Sequence, residues 1–138
     1  MSQYMDFAGL VESGKQIAKR NISSLEVTRA MLTRIEQLDP KLLSYVSVLG
    51  DYAEKAARRA DREIARGKKR GPLHGVPVAV KDLCDMKGVA TTAGIPMFSN
   101  NIADRDATVV RNLNDAGAVI LGKLQLTEGA LATHHPNI

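Results

Sequence analysis

The sequence predicts an α/β fold in one domain, residues 1–138, with a sheet flanked by helices. Two apolar runs, 76–80 and 118–122, are too short for helices and are typical of buried strands. Between them, a helical pattern begins at Asp106, which we expect to cap it, and ends at Gly117. The order strand, helix, strand allows the two strands to be parallel neighbours through a right-handed crossover.

Two helices are predicted at the start of the chain. The first covers residues 7–19. The second begins at a capping box formed by Ser23 and Glu26 and ends at Asp39 and Pro40. Apolar residues at helical spacing mark the inward face of each helix. These residues are Phe7, Leu10, Val11 and Ile17 in the first helix, and Val27, Met31, Ile35 and Leu38 in the second.

Residues 45–49 form a candidate short strand, and a third helix follows Gly50, with Asp51 as its cap and Gly67 at its end. Its narrow face of mostly small residues predicts close packing; this face contains Ala53, Ala56, Ala57, Ala60 and Ile64. The basic segment 66–70 is typical of a solvated helix end, where cations suit the helix dipole. Residues 127–132, after the second buried run, are a candidate start of a further helix.

Composition narrows the classes of function. The net charge of +4 is mildly basic, but aromatic residues make up only 4% and Trp is absent, which disfavours nucleic-acid binding. Cys84 is the single cysteine, so no internal disulfide can form. Residues 1–14 do not resemble a secretory signal, and no apolar run has the length of a membrane span. We therefore expect a cytoplasmic protein that acts away from membranes.

Lys81 is the main candidate for a catalytic residue. It ends the first apolar run, and open α/β sheets bind their ligands at the carboxyl ends of their strands. A lysine ammonium is costly to desolvate, so burial there would favour the neutral amine, which can act as a general base. The alternative is a lysine that reaches water or pairs with Asp82 or Asp85.

Metal and phosphate sites are not predicted. His74, His134 and His135 have no Cys or His partner at ligand spacing. The segment from Gly117 to Lys123 has the glycine and lysine spacing of a phosphate-binding loop, but its intervening residues are those of a buried strand. We expect neither a metal nor a cofactor.

The nucleophile is less clear than the base. Cys84 lies three residues after Lys81 and could form a nucleophilic site of the nitrilase type, although a small buried apolar side chain is the simpler interpretation. Ser23, Ser24, Ser44, Ser47 and Ser99 are among the available serines, but none of these five stands in a strained, glycine-rich turn.

Four motifs in order resemble those of the amidase signature enzymes. The first is GPLHGVPVAVKD at 71–82, which is similar to the lysine motif of that family. TTAG at 91–94, DATVV at 106–110 and AGAVILGK at 116–123 follow at the family's spacing. Upstream, ISSLE at 22–26 and RIEQLDP at 34–40 are similar to the helical start of these enzymes.

This resemblance implies a large mixed sheet flanked by helices and hydrolysis of a carboxylic amide, an ester or a carbamate, without a cofactor. The family uses two serines and a lysine, and Lys81 matches the lysine. Both serines belong to a Gly- and Ser-rich segment downstream of the residues matched by 127–132, so we expect 1–138 to be the N-terminal part of a longer enzyme, inactive alone. Gly129 and Ala130 match residues beside the cleft and are candidates for the wall of the acyl pocket.

Two other functions remain open. One is the glutamine-hydrolysing subunit that makes amidated aminoacyl-tRNA, although Leu83 and Cys84 after the lysine, and residues 126–130, depart from the sequences typical of those proteins. This departure favours a stand-alone amidase acting on a small aryl- or acyl-amide. The other is a non-catalytic scaffold that lacks the serines.

Overall fold

The computed structural model describes residues 9–131. These residues form four α-helices and three β-strands: α1 (Leu10–Ala18), α2 (Ser24–Leu42), β1 (Tyr45–Val48), α3 (Gly50–Ala65), β2 (Pro77–Lys81), α4 (Thr108–Asp115) and β3 (Val119–Leu124). The predicted α/β fold is confirmed. Within the described range, no helix is both long and apolar enough to cross a membrane.

The sheet is mixed and has β3 at its centre. Its order is β1-β3-β2, with β3 antiparallel to β1 and parallel to β2. The predicted parallel pairing of β2 and β3 through α4 is therefore confirmed. Because β3 lies between two strands and between two layers of helices, its residues from Val119 to Lys123 are all buried.

Each face of the sheet packs against helices. On one face, Ala53 and Ala57 of α3 pack against Val119 and Leu121 of β3, with part of α2 beside them. The predicted small-residue face of α3 is thus confirmed. On the other face, Val110 of α4 joins a second cluster with Val80, Met86 and Ile120. This burial of apolar surface on both faces holds the carboxyl ends of β2 and β3 in place.

The start of α2 is fixed by two sets of hydrogen bonds. Ser23 and Glu26 form the predicted capping box, in which the Ser23 Oγ accepts the Glu26 N–H at 3.1 Å. Asp61 of α3 adds two bonds, because its carboxylate accepts the N–H groups of Ser24 at 2.7 Å and Leu25 at 3.1 Å. The donors that a helix N-terminus leaves free are therefore satisfied by side chains.

Several predicted helix ends are wrong. Helix α2 continues through Pro40 to Leu42, and it ends where Leu43 adopts a left-handed conformation with φ +50°. Leu49, not Asp51, is the cap residue of α3. Ala107 caps α4, because the Asp106 carboxylate instead accepts the backbone N–H of Lys87 at 2.7 Å.

The predicted inward face of α1 is only partly correct. Ile17 is buried, but Leu10 and Val11 are 48% and 66% exposed. Phe7 lies outside the described residues. The predicted helix over 127–132 is instead a short 3-10 turn at Glu128–Ala130, within which Gly129 departs from helical geometry; Ala132 is again outside the described range.

Candidate active site

Lys81 is the last residue of β2 and lies beside Leu124 of β3 in the sheet register. Its side chain is exposed, and no ion pair or hydrogen bond joins its ammonium to another residue of the described range 9–131. The predicted position at a strand end is confirmed. The predicted burial is wrong within residues 9–131, where β2 is buried at Val80 but exposed at Lys81, its last residue.

The next residue, Asp82, forms a buried ion pair with Lys123. The Asp82 Oδ1 and the Lys123 Nζ are 2.8 Å apart, and both side chains are 0% exposed. Lys123 also donates hydrogen bonds to the Ala90 carbonyl at 2.8 Å and to the Thr91 Oγ1 at 2.7 Å. The Asp82 Oδ1 has no hydrogen bond of regular geometry, so its contact with the ammonium is mainly electrostatic. Removing either partner alone would leave an uncompensated buried charge.

The other carboxylate oxygen of Asp82 holds the loop that follows β2. Asp82 Oδ2 accepts hydrogen bonds from the Thr92 backbone N–H at 3.1 Å and from the Thr92 hydroxyl. The Ala93 N–H donates to the Asp82 carbonyl at 2.9 Å, and the Asp82 N–H donates to the Leu124 carbonyl at 3.0 Å. Residues 90–93 are thus attached to the carboxyl ends of both β2 and β3.

The direction of the Lys123 side chain depends on an irregularity in the sheet. Val78 pairs with Ile120, whereas Val80 pairs with Lys123, so that β3 has one more residue than β2 between these pairs. Side chains alternate along a regular strand, and an extra residue reverses the alternation. Without it, Lys123 would point to the opposite face from Ile120. The bulge therefore brings the lysine to the face on which Asp82 is buried.

Gly122 occupies the position immediately before Lys123 and pairs with Val48 of β1. A Cβ atom at Gly122 would lie 2.2 Å from the carbonyl oxygen of Ser47 and 3.1 Å from the ring of Tyr45. Only glycine avoids this overlap, which explains why a glycine stands before Lys123 in β3.

Of the two candidate acyl-pocket residues, Gly129 and Ala130, the first is bonded to the same loop through its backbone. The Gly129 N–H donates to the Ala93 carbonyl at 2.8 Å. Ala93 and Ala130 both have left-handed backbone conformations, with φ of +51° and +59°. Such conformations cost about 1 kcal/mol or more for alanine and persist where surrounding bonds enforce them. This region therefore stores backbone strain next to the Asp82–Lys123 pair.

Cys84 is part of the turn after β2. Its N–H donates to the Lys81 carbonyl at 2.9 Å, and its half-buried side chain packs against the apolar cluster that contains Val80 and Val110. These contacts favour the interpretation of Cys84 as a small apolar side chain.

His74 is buried between α3 and the segment before β2. Its Nε2 lies 3.1 Å from the Glu63 carboxylate, and its Nδ1 accepts the Arg70 N–H at 3.1 Å. Burial lowers the pKa of His74, while Glu63 acts in the opposite direction. His134 and His135 lie outside the described residues. Among residues 9–131, no group of three or more His, Cys, Asp or Glu side chains could hold a metal ion.

A cavity of about 370 Å³ lies between the first three helices, and Lys81 is not among its lining residues. Its polar lining includes Ser23, Glu26 and Asp61. All three side chains are engaged at the start of α2, which leaves them no catalytic arrangement. The end of β2 is therefore the better candidate for chemistry.

Sequence reasoning missed Lys123. The pattern of segment 117–123 predicts a strand that ends at Gly122, and neither the phosphate-loop spacing nor the family motif at 116–123 assigns the lysine a place in the site. A signal was present, since Lys123 ends an apolar run just as Lys81 does. The bulge that turns it inward could not be inferred, because strand periodicity assumes strict alternation.

Comparisons with known proteins identify the family and the fold of the chain. Residues 26–138 match the family model for amidases. The chain is 50% identical over 129 residues to the putative amidase AmiD of Mycobacterium bovis, covering 94% of this chain and 27% of that protein. It is 47% identical to a glutamyl-tRNA(Gln) amidotransferase subunit of Anaeromyxobacter dehalogenans, covering 94% of this chain and 26% of that protein.

A solved structure shows the same fold. The native peptide amidase from Stenotrophomonas maltophilia superposes with a TM-score of 0.83 at 36% identity, covering 91% of this chain and 26% of that one. The chain spans about a quarter of the length of these relatives. Its folded unit, its motifs and the extent of the family match lead to one assignment: the chain belongs to the amidase family.

Proposed function

We propose that the protein is an amidohydrolase that cleaves a carboxylic amide, and that Lys81 is its general base. The observation that supports this most directly is the position of Lys81 at the carboxyl end of β2. Its ammonium there has no ion-pair partner among residues 9–131, while the adjacent charges of Asp82 and Lys123 neutralise each other. A base must be available to accept a proton, and Lys81 is not committed to a structural contact.

The mechanism forms an acyl-enzyme on a serine. As the nucleophilic serine attacks the carbonyl carbon, its proton passes through a second serine to the neutral amine of Lys81. Backbone N–H groups stabilise the oxyanion. The C–N bond then breaks, the proton passes to the leaving amine, and water hydrolyses the acyl-serine ester. We assign both serines to sequence beyond Ile138, in keeping with relatives about four times as long as this chain.

Gly129 and Ala130 are proposed to form part of the wall around the acyl group. The hydrogen bond from the Gly129 N–H to the Ala93 carbonyl supports this role, because it attaches the 128–130 turn to the loop that Asp82 holds. The substrate would be a small aryl- or acyl-amide, or an ester or carbamate of similar size.

A second candidate is a glutamine-hydrolysing amidotransferase component, which is favoured by the 47% identity to an amidotransferase subunit. It would use the same serines and lysine but pass the ammonia to a partner. The two functions differ in substrate: free glutamine in the presence of partner subunits, against an isolated aryl- or acyl-amide. Hydrolysis of p-nitroacetanilide by the purified protein alone would favour the amidase.

The decisive test begins with the intact mass of the protein as its gene encodes it, followed by labelling with a fluorophosphonate. We expect a mass several times that of the 138 residues, 14.9 kDa, and one phosphonylated serine per chain. Lys81→Ala should abolish labelling while the protein stays folded, and Lys87→Ala, at another exposed lysine, should label normally. Full labelling of Lys81→Ala would refute the proposal, and a protein without any reactive serine would favour the scaffold.

A further inference from the structure

We propose that Asp82 and Lys123 are positioning residues for Lys81. The buried pair sets the backbone from which Lys81 projects and holds the loop 90–93 at the carboxyl ends of β2 and β3. This inference rests on the proposed function of Lys81 as a base. Neither Asp82 nor Lys123 is exposed, so neither can touch a substrate through the surface on which Lys81 lies.

Bonds on both sides of Lys81 hold its backbone in place. On its N-terminal side, Lys81 is held by the parallel pairing of β2 with β3. On its C-terminal side, the Asp82 N–H is bonded to the Leu124 carbonyl, and the Lys81 carbonyl accepts the Cys84 N–H. The Cα–Cβ direction of Lys81 therefore depends on Asp82 staying in place, and the ion pair is what keeps Asp82 buried.

Lys123 connects the loop to Asp82 through several polar contacts. The Lys123 ammonium donates hydrogen bonds to the Ala90 carbonyl and to the Thr91 hydroxyl, and its charge lies 2.8 Å from the Asp82 Oδ1. An apolar side chain of similar volume would fill the space but leave these two acceptors without this donor and the Asp82 charge without a counter-charge. The pair thus fixes one arrangement of the loop, which packing alone would not specify.

The loop that Asp82 holds contains backbone strain at Ala93. Ala93 has a left-handed conformation, and its N–H is bonded to the Asp82 carbonyl. On its other side, the Ala93 carbonyl accepts the Gly129 N–H, which connects the loop to a candidate residue of the acyl pocket. If Asp82 moves, the loop can relax to an unstrained conformation, and the distance between base and acyl group changes.

The test uses the protein as its gene encodes it. Lys123→Met removes the ammonium, and the double variant Asp82→Asn with Lys123→Gln removes both charges but keeps a donor and an acceptor. Lys87→Met is the matched control at an exposed lysine. The probe is a fluorophosphonate: the serine oxygen bonds to phosphorus, fluoride leaves, and Lys81 takes the serine proton.

In both pair variants we expect the maximal rate constant of phosphonylation to fall about 10-fold or more, because a shift of about 1 Å at a reacting group has effects up to 10²-fold. The reagent concentration at half-maximal rate should change less than about twofold, since ground-state binding is retained. Labelling should still reach one per chain. Deuterium uptake should increase in peptides covering 90–95 but not in β3.

The outcomes distinguish a failure of the proposed function of Lys81 from a failure of the positioning role of Asp82 and Lys123. If Lys81→Ala labels at the rate of the unmodified protein, the proposed function fails and the inference fails with it. If Lys81→Ala does not label but the folded double variant labels at the normal maximal rate, the positioning role is overturned and the proposed function stands. Lower labelling stoichiometry together with faster exchange in β3 would mean that the pair only stabilises the fold, which also overturns the inference.

Discussion

His74 connects Glu63 to the backbone of Arg70 through both of its ring nitrogens. Its Nδ1 accepts the Arg70 N–H, which leaves the proton of the neutral ring on Nε2, 3.1 Å from the Glu63 carboxylate. Protonation of Nδ1 would break the bond to Arg70. Burial lowers the pKa of His74, because the charged ring is poorly solvated there.

This arrangement predicts a loss of stability on mild acidification. Unfolded His74 takes up a proton near its ordinary pKa of 6.5, whereas folded His74 does so only at lower pH. The unfolded state therefore binds more protons as the pH falls through 6.5, and the free energy of unfolding decreases until the folded pKa is passed. Urea unfolding between about pH 8 and about pH 5 should show this slope.

His74→Gln is the matched variant, since glutamine can bond to the same partners without titrating. We expect its free energy of unfolding to vary less over this range. Glu63 does not confuse the comparison, because its pKa is lowered, chiefly by its hydrogen bond with Arg70, and its contribution is lost only below its ordinary value of 4.5. Equal slopes for the two proteins would contradict the assignment to His74.

Gly122→Ala should be strongly destabilising. Its new methyl group would lie 2.2 Å from the Ser47 carbonyl oxygen, and relief requires β1 to move away from β3. We expect a loss of about 3 kcal/mol in the free energy of unfolding, measured in urea. Gly50→Ala is the control, because a Cβ there meets only a Leu32 methyl at 3.9 Å and should be neutral or slightly stabilising. Similar losses for both variants would refute the steric account.

Gly117→Ala tests a second close contact. A Cβ at this position would lie 2.4 Å from the His74 ring, and the backbone has φ +78°. We expect about 3 kcal/mol of destabilisation from clash and strain together. In a His74→Ala background the clash disappears. The loss of unfolding free energy caused by Gly117→Ala should then be smaller, by about 1 kcal/mol or more, than in the natural sequence. Strict additivity in this double-mutant cycle would show that the ring is not the obstacle.

Ser23→Ala should remove the cap of α2. It eliminates the acceptor of the Glu26 N–H and the hydroxyl that donates to the Glu26 carboxylate at 2.7 Å. The expected loss is about 1 kcal/mol, seen as a lower thermal midpoint. Because the Ser23 bonds lower the pKa of Glu26, this pKa should rise in the variant. Ser99→Ala, at an exposed site, should leave the midpoint unchanged; an equal drop there would refute the capping account.

Local patterns were enough to predict much of the fold. The capping box at Ser23 and Glu26 and the parallel pairing of β2 with β3 follow from short-range spacing and chain connectivity, and both are confirmed. The predicted end of α2 is wrong, because Pro40 lies within the last turn of the helix. The Asp39 carboxylate accepts the backbone N–H groups of Ser44 and Tyr45 beyond that turn. The Asp-Pro pattern does not indicate these bonds, because they form only when the chain turns at the left-handed Leu43.

The candidate site was predicted only in part. The position of Lys81 at a strand end follows from its place after an apolar run. The ion pair between Asp82 and Lys123 does not, because it joins residues from two strands and depends on a bulge. The Asp106 carboxylate is similar: a capping role was expected from its position, but a distant donor, the N–H of Lys87, uses it instead.

The central place of β3 in the sheet has a consequence for biosynthesis. Strands β1 and β2 both pair with β3 and not with each other, and about 70 residues separate β1 from β3. At roughly 5–20 residues per second, the ribosome needs several seconds to make that interval. Until β3 is made, β1, the alanine face of α3 and, once it is synthesised, β2 lack the strand with which they pair or pack among residues 9–131. Chaperones that bind extended apolar segments should therefore engage the nascent chain between β1 and β3, and release it once β3 has left the exit tunnel.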